Sequence, residues 1–433
     1  MKFWGRVNRT DMRMEQTGES DPKCLKNKIL FAPSNDTGIK ICHEINKYLQ
    51  NDSSFEVIFF NMNKPQRENI IECYNSLSIK YDTSPLSENL GYPISHFYKK
   101  LISRSKTFFD YFVDYLKTKQ PSLIVLTSDL GLQENAVISA AVFSKIPVVI
   151  IQDGIILLSA PGNNLKLLVK KIVTNISRKL GFVAGPISHE IYGANGAEYC
   201  FISGEIYIQR FKKIGIKPEN IYVVGQPRYD KYYMGFPKQF VTHAQYPFKI
   251  LVAFSGMPAY YKNTASLYFS EFEKLLKNLN QLYPDVTTYI KPHPRFRREE
   301  FESFLNKIDG KENMNLFSPG YDVLRVLHEI DFVISDYSTV VIEALLLGKP
   351  VILIKSFWGK HYPDIFVETG IARIIDNSDL IKESLEGYIF KDNIWQEIEK
   401  NVVLYIPRVI ANPTSAAKRA YESFKDILAK REK

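Results

Sequence analysis

The chain reads as an α/β protein built from two Rossmann-like domains that face each other across a cleft. Three observations carry that reading. Short apolar, β-branched runs alternate with helical patterns through most of the 433 residues, as parallel sheets with helical crossovers require. The alternation lapses over 229–248, YDKYYMGFPKQFVTHAQYPF, and then restarts. A length of 433 residues also exceeds one ordinary domain, so two are the natural expectation. The expected division is a loose tail over 1–26, a first domain over 27–235, a second over 236–395, and C-terminal helices over 396–433 that cross back to the first domain.

In the first half, KILFAPS (28–34) is a strand that enters the polar loop NDTG, and a helix follows from Ile39 to Leu49. FEVIFFN (55–61), SLIVLTSD (122–129), IPVVIIQDG (146–154), AEYCFIS (197–203) and NIYVVGQP (220–227) continue as strands, with a helix near 134–144. The second half opens on KILVAFSG (249–256), a strand entering a Ser-Gly loop, then a helix over 266–281 and the strand DVTTYI (285–290). A helix near 298–308 and a short one over 322–330 lead to strand DFVISD (331–336). Helix STVVIEALLLG (338–348), strand KPVILI (349–354) and strand IARIID (371–376) follow, and helices fill the remainder. Gly348 and Pro350 punctuate the end of that helix and the start of its strand.

Composition narrows the class. With 45% hydrophobic and 24% charged residues, the chain has material for a large core and reads as a soluble globular protein. Its four cysteines, Cys24, Cys42, Cys73 and Cys200, lie far apart with no C-x-x-C pair, which argues against a zinc site or a disulfide framework and for a reducing compartment. No apolar run reaches the roughly 18–20 residues of a membrane span, and the N-terminus lacks a signal-peptide core. A cytoplasmic location is expected. The net charge of +9, from 56 basic and 47 acidic residues, points to an anionic partner. No zinc-finger, RNP or helix-turn-helix signature is present, so nucleic acid is set aside.

The candidate site residues sit where strands end. In KPHPR (291–295) two prolines flank His293 and hold it on a stiff, extended segment at the C-terminal mouth of a strand, where α/β proteins bind ligands. Lys291 and Arg295 supply positive charge beside it. In DYST (336–339) the hydroxyls of Ser338 and Thr339 open a helix, whose free N–H groups favour an anion. Ser255 and Gly256 end another strand of the same half, and Glu343 lies one turn into the helix after Thr339. In the first half, Asn35, Asp36, Gly38, Asp129, Asp153 and Gly154 end strands on the facing side. A carboxylate such as Asp153, next to a glycine that lets substrate approach, suits proton abstraction. No D-x-D pair ends a strand convincingly, so neither a metal nor another cofactor is called for.

The order HP, then SDYST (335–339), then LGKPVI (347–352) resembles the nucleotide-binding half of GT-B transferases. The likeness is to the CDP-glycerol glycerophosphotransferases and to the bacterial sialyl-, polysialyl- and Kdo-type capsule transferases. VVGQPRYD (223–230) looks like the GxPRxD segment of the first group. The resemblance implies a GT-B fold, with an acceptor domain first and a nucleotide-donor domain second. It implies that His293, Ser338 and Thr339 meet the donor phosphate and that Glu343 hydrogen-bonds a ribose. It also places a catalytic base at Asp153. Glycerophosphotransferases carry a His-Gly pair there, whereas sialyltransferases carry two acidic residues before the glycine. Here Gln152 replaces the first of these and Asp153 matches the second. That departure favours a CMP-linked sugar donor and an inverting transferase acting on a cell-surface or lipid-linked glycan. The alternatives are a CDP-polyol phosphotransferase, an enzyme like the UDP-N-acetylglucosamine epimerases, which needs more cleft carboxylates, and a non-catalytic nucleotide- or glycan-binding subunit.

One further stretch stands out. In NLKLLVKKIVTNISRKLGF (164–182), Leu165, Leu168, Val169, Ile172, Ile176 and Leu180 share one helical face, with the basic residues mostly elsewhere. The pattern suits a helix lying on the inner face of an anionic membrane. It equally suits one packed on its own core with a solvated basic face.

Overall fold

A computed structural model describes residues 26–62, 68–84, 97–158, 165–181, 187, 191–233, 236, 240, 247–253, 265–292, 299, 302, 305–306, 308, 311–318, 321, 323–336, 338–355, 364–390 and 392–432. Each half of the chain winds around one parallel sheet.

The first sheet contains β1 (Asn27–Ala32), β2 (Phe55–Asn61), β3 (Asp82–Thr83), β4 (Leu123–Leu126), β5 (Val148–Ile151), β6 (Tyr199–Ile202) and β7 (Ile221–Val223). Their order is β3-β2-β1-β4-β5-β6-β7. The crossovers are α1 (Asp36–Leu49), α2 (Glu68–Ser76), α3 (Phe97–Lys119), α4 (Leu132–Phe143), α5 (Leu165–Lys179) and α6 (Ile208–Lys213), with α7 (Asp230–Tyr233) leaving the domain. The central strands LIVL, VVII and YCFI are buried at every residue, because helices cover both faces and no position faces water.

The second sheet contains β8 (Lys249–Ala253), β9 (Thr287–Lys291), β10 (Met314–Leu316), β11 (Phe332–Ser335), β12 (Val351–Ile354) and β13 (Arg373–Ile375), in the order β10-β9-β8-β11-β12-β13. Its helices are α8 (Ala265–Leu282), α9 (Leu324–Leu327), α10 (Val340–Leu346), α11 (Asp364–Thr369) and α12 (Ile381–Ile389). In both sheets the strand order reverses once, between β1 and β4 and between β8 and β11. These switch points open crevices at the carboxyl ends of the strands, where open α/β sheets bind ligands. Asn35 and Asp129 follow the first pair, and Asp336 and Ser338 follow β11 at the second.

The chain ends back on the first domain. After α13 (Asn393–Val409), Ala411 N–H donates to the Ser203 carbonyl at 2.7 Å, and Ser203 Oγ donates to the Val409 carbonyl at 3.0 Å. A Cβ on Gly204 would fall 2.1 Å from the Arg408 carbonyl oxygen, so only glycine admits this backbone approach. The last helix, α14 (Ala416–Glu432), buries Phe424 against Phe201, with ring centroids 5.2 Å apart, and against Phe31 at 6.2 Å. Asp230 fixes its start: the carboxylate accepts from Ser415 Oγ at 2.8 Å and from the N–H groups of Ala416 and Ala417 at 2.7 and 3.1 Å. A carboxylate at the first turn meets unpaired helix N–H groups and the positive end of the helix dipole together.

Two strands were not legible in the sequence. β3 and β10 are two and three residues long, too short for a period to register. The helix expected over 322–330 contracts to Leu324–Leu327. Most of the one expected near 298–308 lies outside the described residues.

Candidate functional site

Asn35 and Asp153, 118 positions apart, meet at the carboxyl edge of the first sheet. Asn35 uses both halves of its amide. Its Oδ1 accepts the Gly38 N–H at 2.7 Å and caps α1, while its Nδ2 donates to Asp153 Oδ2 at 2.8 Å. Burial pushes the Asp153 carboxyl above the ordinary carboxylate range, and the neighbouring Asp36 charge adds to the rise. The Asn35 hydrogen bond and the positive charge of Arg228 oppose it. Desolvation is the largest of these effects, so the carboxyl holds its proton more tightly than a solvated aspartate does.

The corner that carries Asp153 is clamped by Gln152, which is buried. Its Nε2 donates to the Gly154 carbonyl at 2.8 Å, its Oε1 accepts the Ser203 N–H at 3.1 Å, and its own carbonyl accepts from Gln226 Nε2 at 2.9 Å. An acidic side chain, ionised, could not donate to the Gly154 carbonyl. Gln152 therefore holds the backbone of the corner where the resemblance would place a first acidic residue.

The GxPRxD segment is the joint between the domains. Arg228 Nη1 pairs with Glu343 Oε1 at 3.0 Å, with both side chains largely withdrawn from solvent. Arg228 also bonds Tyr229 Oη and lies over the Tyr229 ring, 4.4 Å from its centroid. Tyr229 Oη reaches Glu343 Oε1 at 3.4 Å. Burial works against the Arg228 charge, but Tyr229, Glu343 and Asp153 hold its pKa above the ordinary value. One guanidinium thus bears on Glu343 of the second domain and Asp153 of the first. Glu343 is buried, with Oε1 engaged by Arg228.

Across the cleft, a Cβ on Gly154 would lie 3.3 Å from Thr339 Cγ2, so the two strand-end loops approach to van der Waals contact. Ser338 Oγ accepts the Val340 N–H at 3.3 Å, and Thr339 stands at the cap of α10 without a side-chain cap hydrogen bond. Behind them Ser335 Oγ donates to the Ala253 carbonyl at 2.9 Å, and buried Asp336 accepts from Tyr268 Oη at 3.2 Å. Lys291 closes β9. His293, Arg295, Ser255 and Gly256 lie outside the described residues.

Two first-domain candidates do not serve the cleft as expected. Asp129 is completely buried, and its oxygens accept the N–H groups of Gly193 at 3.1 Å and Asn195 at 2.9 Å. It holds a loop rather than meeting substrate. Gly38 serves packing, since a Cβ there would fall 2.5 Å from Thr127 Oγ1. Asp36 occupies the first turn of α1. Sequence reasoning also passed over Arg228 and Glu134. Arg228 lies within the GxPRxD segment, whose pattern alone names no partner for it. Glu134 lies in the first turn of α4, packed where a Cβ on Gly131 would stand, and burial raises its pKa. A carboxylate just beyond the SDLG strand end was the available signal.

The sequence model of the UDP-N-acetylglucosamine 2-epimerase family matches residues 194–401. A sequence search of curated proteins finds no match. Among solved structures the chain is similar to S. aureus MnaA in its co-structure with UDP, with a TM-score of 0.62 and 16% identity over 93% of this chain and 97% of that one. It is similar to UDP-GlcNAc 2-epimerase from Neisseria meningitidis bound to UDP-GlcNAc, with a TM-score of 0.61 and 15% identity over 92% and 100%. It is also similar to the glycosyltransferase SnogD from Streptomyces nogalater, with a TM-score of 0.53 and 13% identity over 93% and 99%. At these identities the likeness is one of fold: two parallel-sheet Rossmann-like domains of the GT-B type, as the sequence led us to expect. The narrower likeness to glycerophosphotransferases and capsule transferases finds no support in these proteins. Two of them carry UDP or UDP-GlcNAc rather than a CMP-linked sugar.

Proposed function

We propose that the chain is an enzyme acting on a UDP-linked N-acetylhexosamine, of the 2-epimerase kind, with Asp153 as an acid/base carboxyl. The observation that carries this reading is the family match over 194–401, which takes in the second domain and the Arg228–Glu343 joint. Inverting the sugar at C2 requires a proton to leave one face and another to arrive at the opposite face. Asp153 is suited to hold one of them, since burial and Asp36 favour its protonated form while Asn35 and Arg228 keep the carboxylate within reach. Asp36, whose charge reaches Asp153, is the candidate for a second acidic group. Lys291, Ser338 and Thr339, with His293, Arg295, Ser255 and Gly256, form the donor-phosphate side of the same reading.

A transferase reading rests on the SDYST and LGKPVI segments and on the fold likeness to SnogD. In it Asp153 deprotonates an acceptor hydroxyl instead. One experiment separates the two. The protein is incubated with UDP-GlcNAc in D2O and followed by proton NMR. The epimerase reading expects deuterium at C2 and a new N-acetylmannosamine signal, both lost in Asp153→Asn while UDP binding by calorimetry persists. Release of nucleotide only when an acceptor glycan is added, with C2 unexchanged, would replace it with the transferase. UDP binding without turnover under either condition would leave a binding subunit.

A further inference from the structure

Helix α5 is turned inside out. At about 100° per residue, Lys171, Thr174 and Arg178 share one face, and that face is the one packed on the domain. Lys171 Nζ bonds the Ile214 carbonyl, Thr174 is buried, and Arg178 is completely buried. Arg178 donates to Ser139 Oγ and Asn135 Oδ1, each at 3.0 Å, and to the Asn195 carbonyl. The opposite face carries Val169, Ile172, Val173, Ile176 and Leu180, each 50–65% exposed. Phe143, at the end of α4 beside Gly181, extends the stripe and is itself 45% exposed. Of the two arrangements the sequence left open, the apolar face does not pack on the protein's own core. Its contiguity marks an interaction surface.

We propose that this face docks on an anionic lipid surface. Charge decides the occupant. The helix LKLLVKKIVTNISRK contains no acidic residue. On the same helical wheel the exposed Lys170 and Lys179 flank the apolar stripe on its two sides. The end of α6 that receives Lys171 adds exposed Lys212 and Lys213, and exposed Lys145 follows Phe143. An apolar stripe between basic flanks is the pattern of helices that lie in the membrane interface. Each lysine near an anionic surface adds roughly a fivefold gain in binding. A second copy of the chain fits less well, because a two-fold contact through the stripe would set basic flank against basic flank. Among the described residues no helix is long and apolar enough to cross a membrane, so the contact is one of lying on the surface.

Co-sedimentation of the full chain with vesicles tests the proposal, comparing phosphatidylcholine alone with an equal mixture of phosphatidylcholine and phosphatidylglycerol. Binding to the mixed vesicles should be at least about tenfold stronger and should fall as salt is added. Replacing Ile172 and Ile176 together by glutamate should abolish binding without lowering the melting temperature, since both side chains already face water. Lys170→Glu with Lys179→Glu should erase the preference for anionic lipid. Equal binding to both vesicle types, or unchanged binding by the Ile172/Ile176 variant, would overturn the proposal. So would a dimer in light scattering that this variant dissolves while vesicles capture no wild-type protein.

Discussion

Asp129 and Asp153 follow adjacent parallel strands, β4 and β5, and in sequence they look alike: an acidic residue two or three positions after four aliphatic ones. Their surroundings part them. Asp129 is closed on both oxygens by backbone N–H groups, with Arg178 and Arg210 close enough to feel its charge. Asp153 receives one side-chain amide, from Asn35, on one oxygen. How fully a strand-end carboxylate is enclosed thus depends on the donors that converge on it, and those donors come from segments more than sixty residues away.

The largest effect should come from Asp153→Asn. Turnover should fall by about 10²–10⁴-fold, because an amide neither takes nor returns a proton, while fold and nucleotide affinity are kept. Asp129→Asn should do the reverse, costing about 3 kcal/mol in urea unfolding, because the amide nitrogen turns a donor toward a donor and leaves buried arginine charge less compensated. A variant at Asp129 that melts like wild type yet loses turnover would erase the distinction between the two aspartates.

Linkage sharpens the contrast. The folded pKa of Asp153 lies above its unfolded value, so the folded state holds that proton more tightly. The stability it contributes is present below about pH 3.9 and is lost as pH rises through the folded pKa. Asp153→Asn escapes that loss, so its stability relative to wild type should improve as pH rises above about 4 in paired denaturant titrations. A flat difference would mean that Asp153 is not held above its unfolded value.

Arg228→Met should act at a distance of one residue pair. Removing the guanidinium takes away a charge that lowers the Asp153 pKa, so the acid limb of the pH–rate profile should move to higher pH. Stability should also drop by about 2 kcal/mol from the unpaired Glu343. The smallest effect belongs to Gly154→Ala. Among the described residues the added methyl meets only Thr339 Cγ2, and a cost of about 1 kcal/mol, relieved by Thr339→Ser, is expected in thermal melts.

The central buried strands were legible because LIVL and VVII are short, aliphatic and rich in β-branched residues, which favours a covered strand over a helix. The place of Asp153 at the mouth of β5 was legible because a D-G pair closely follows such a run. The partners were not. Nothing local to Gln152 says that its amide will meet Gly154, Ser203 and Gln226 at once, and nothing near Arg228 names Glu343. The direction of α5 was hidden for a related reason. A helical wheel separates apolar from basic residues but cannot tell which side faces in. Here buried acceptors await the basic side: Ser139, Asn135 and Asn195 for Arg178, and Ile214 for Lys171.

The return of the last helix onto the first domain has a consequence during synthesis. The first sheet is complete once β7 has left the ribosome, yet the pocket for Phe424 between Phe31 and Phe201 stays unfilled, and Asp230 has no helix to hold. About two hundred more residues must be made first, which at ordinary elongation rates takes roughly 10–40 s. Through that interval the nascent first domain presents bare aromatic surface, and the second domain folds while tethered to an unfinished neighbour. The carboxyl-terminal helix is the piece whose arrival lets the first domain close.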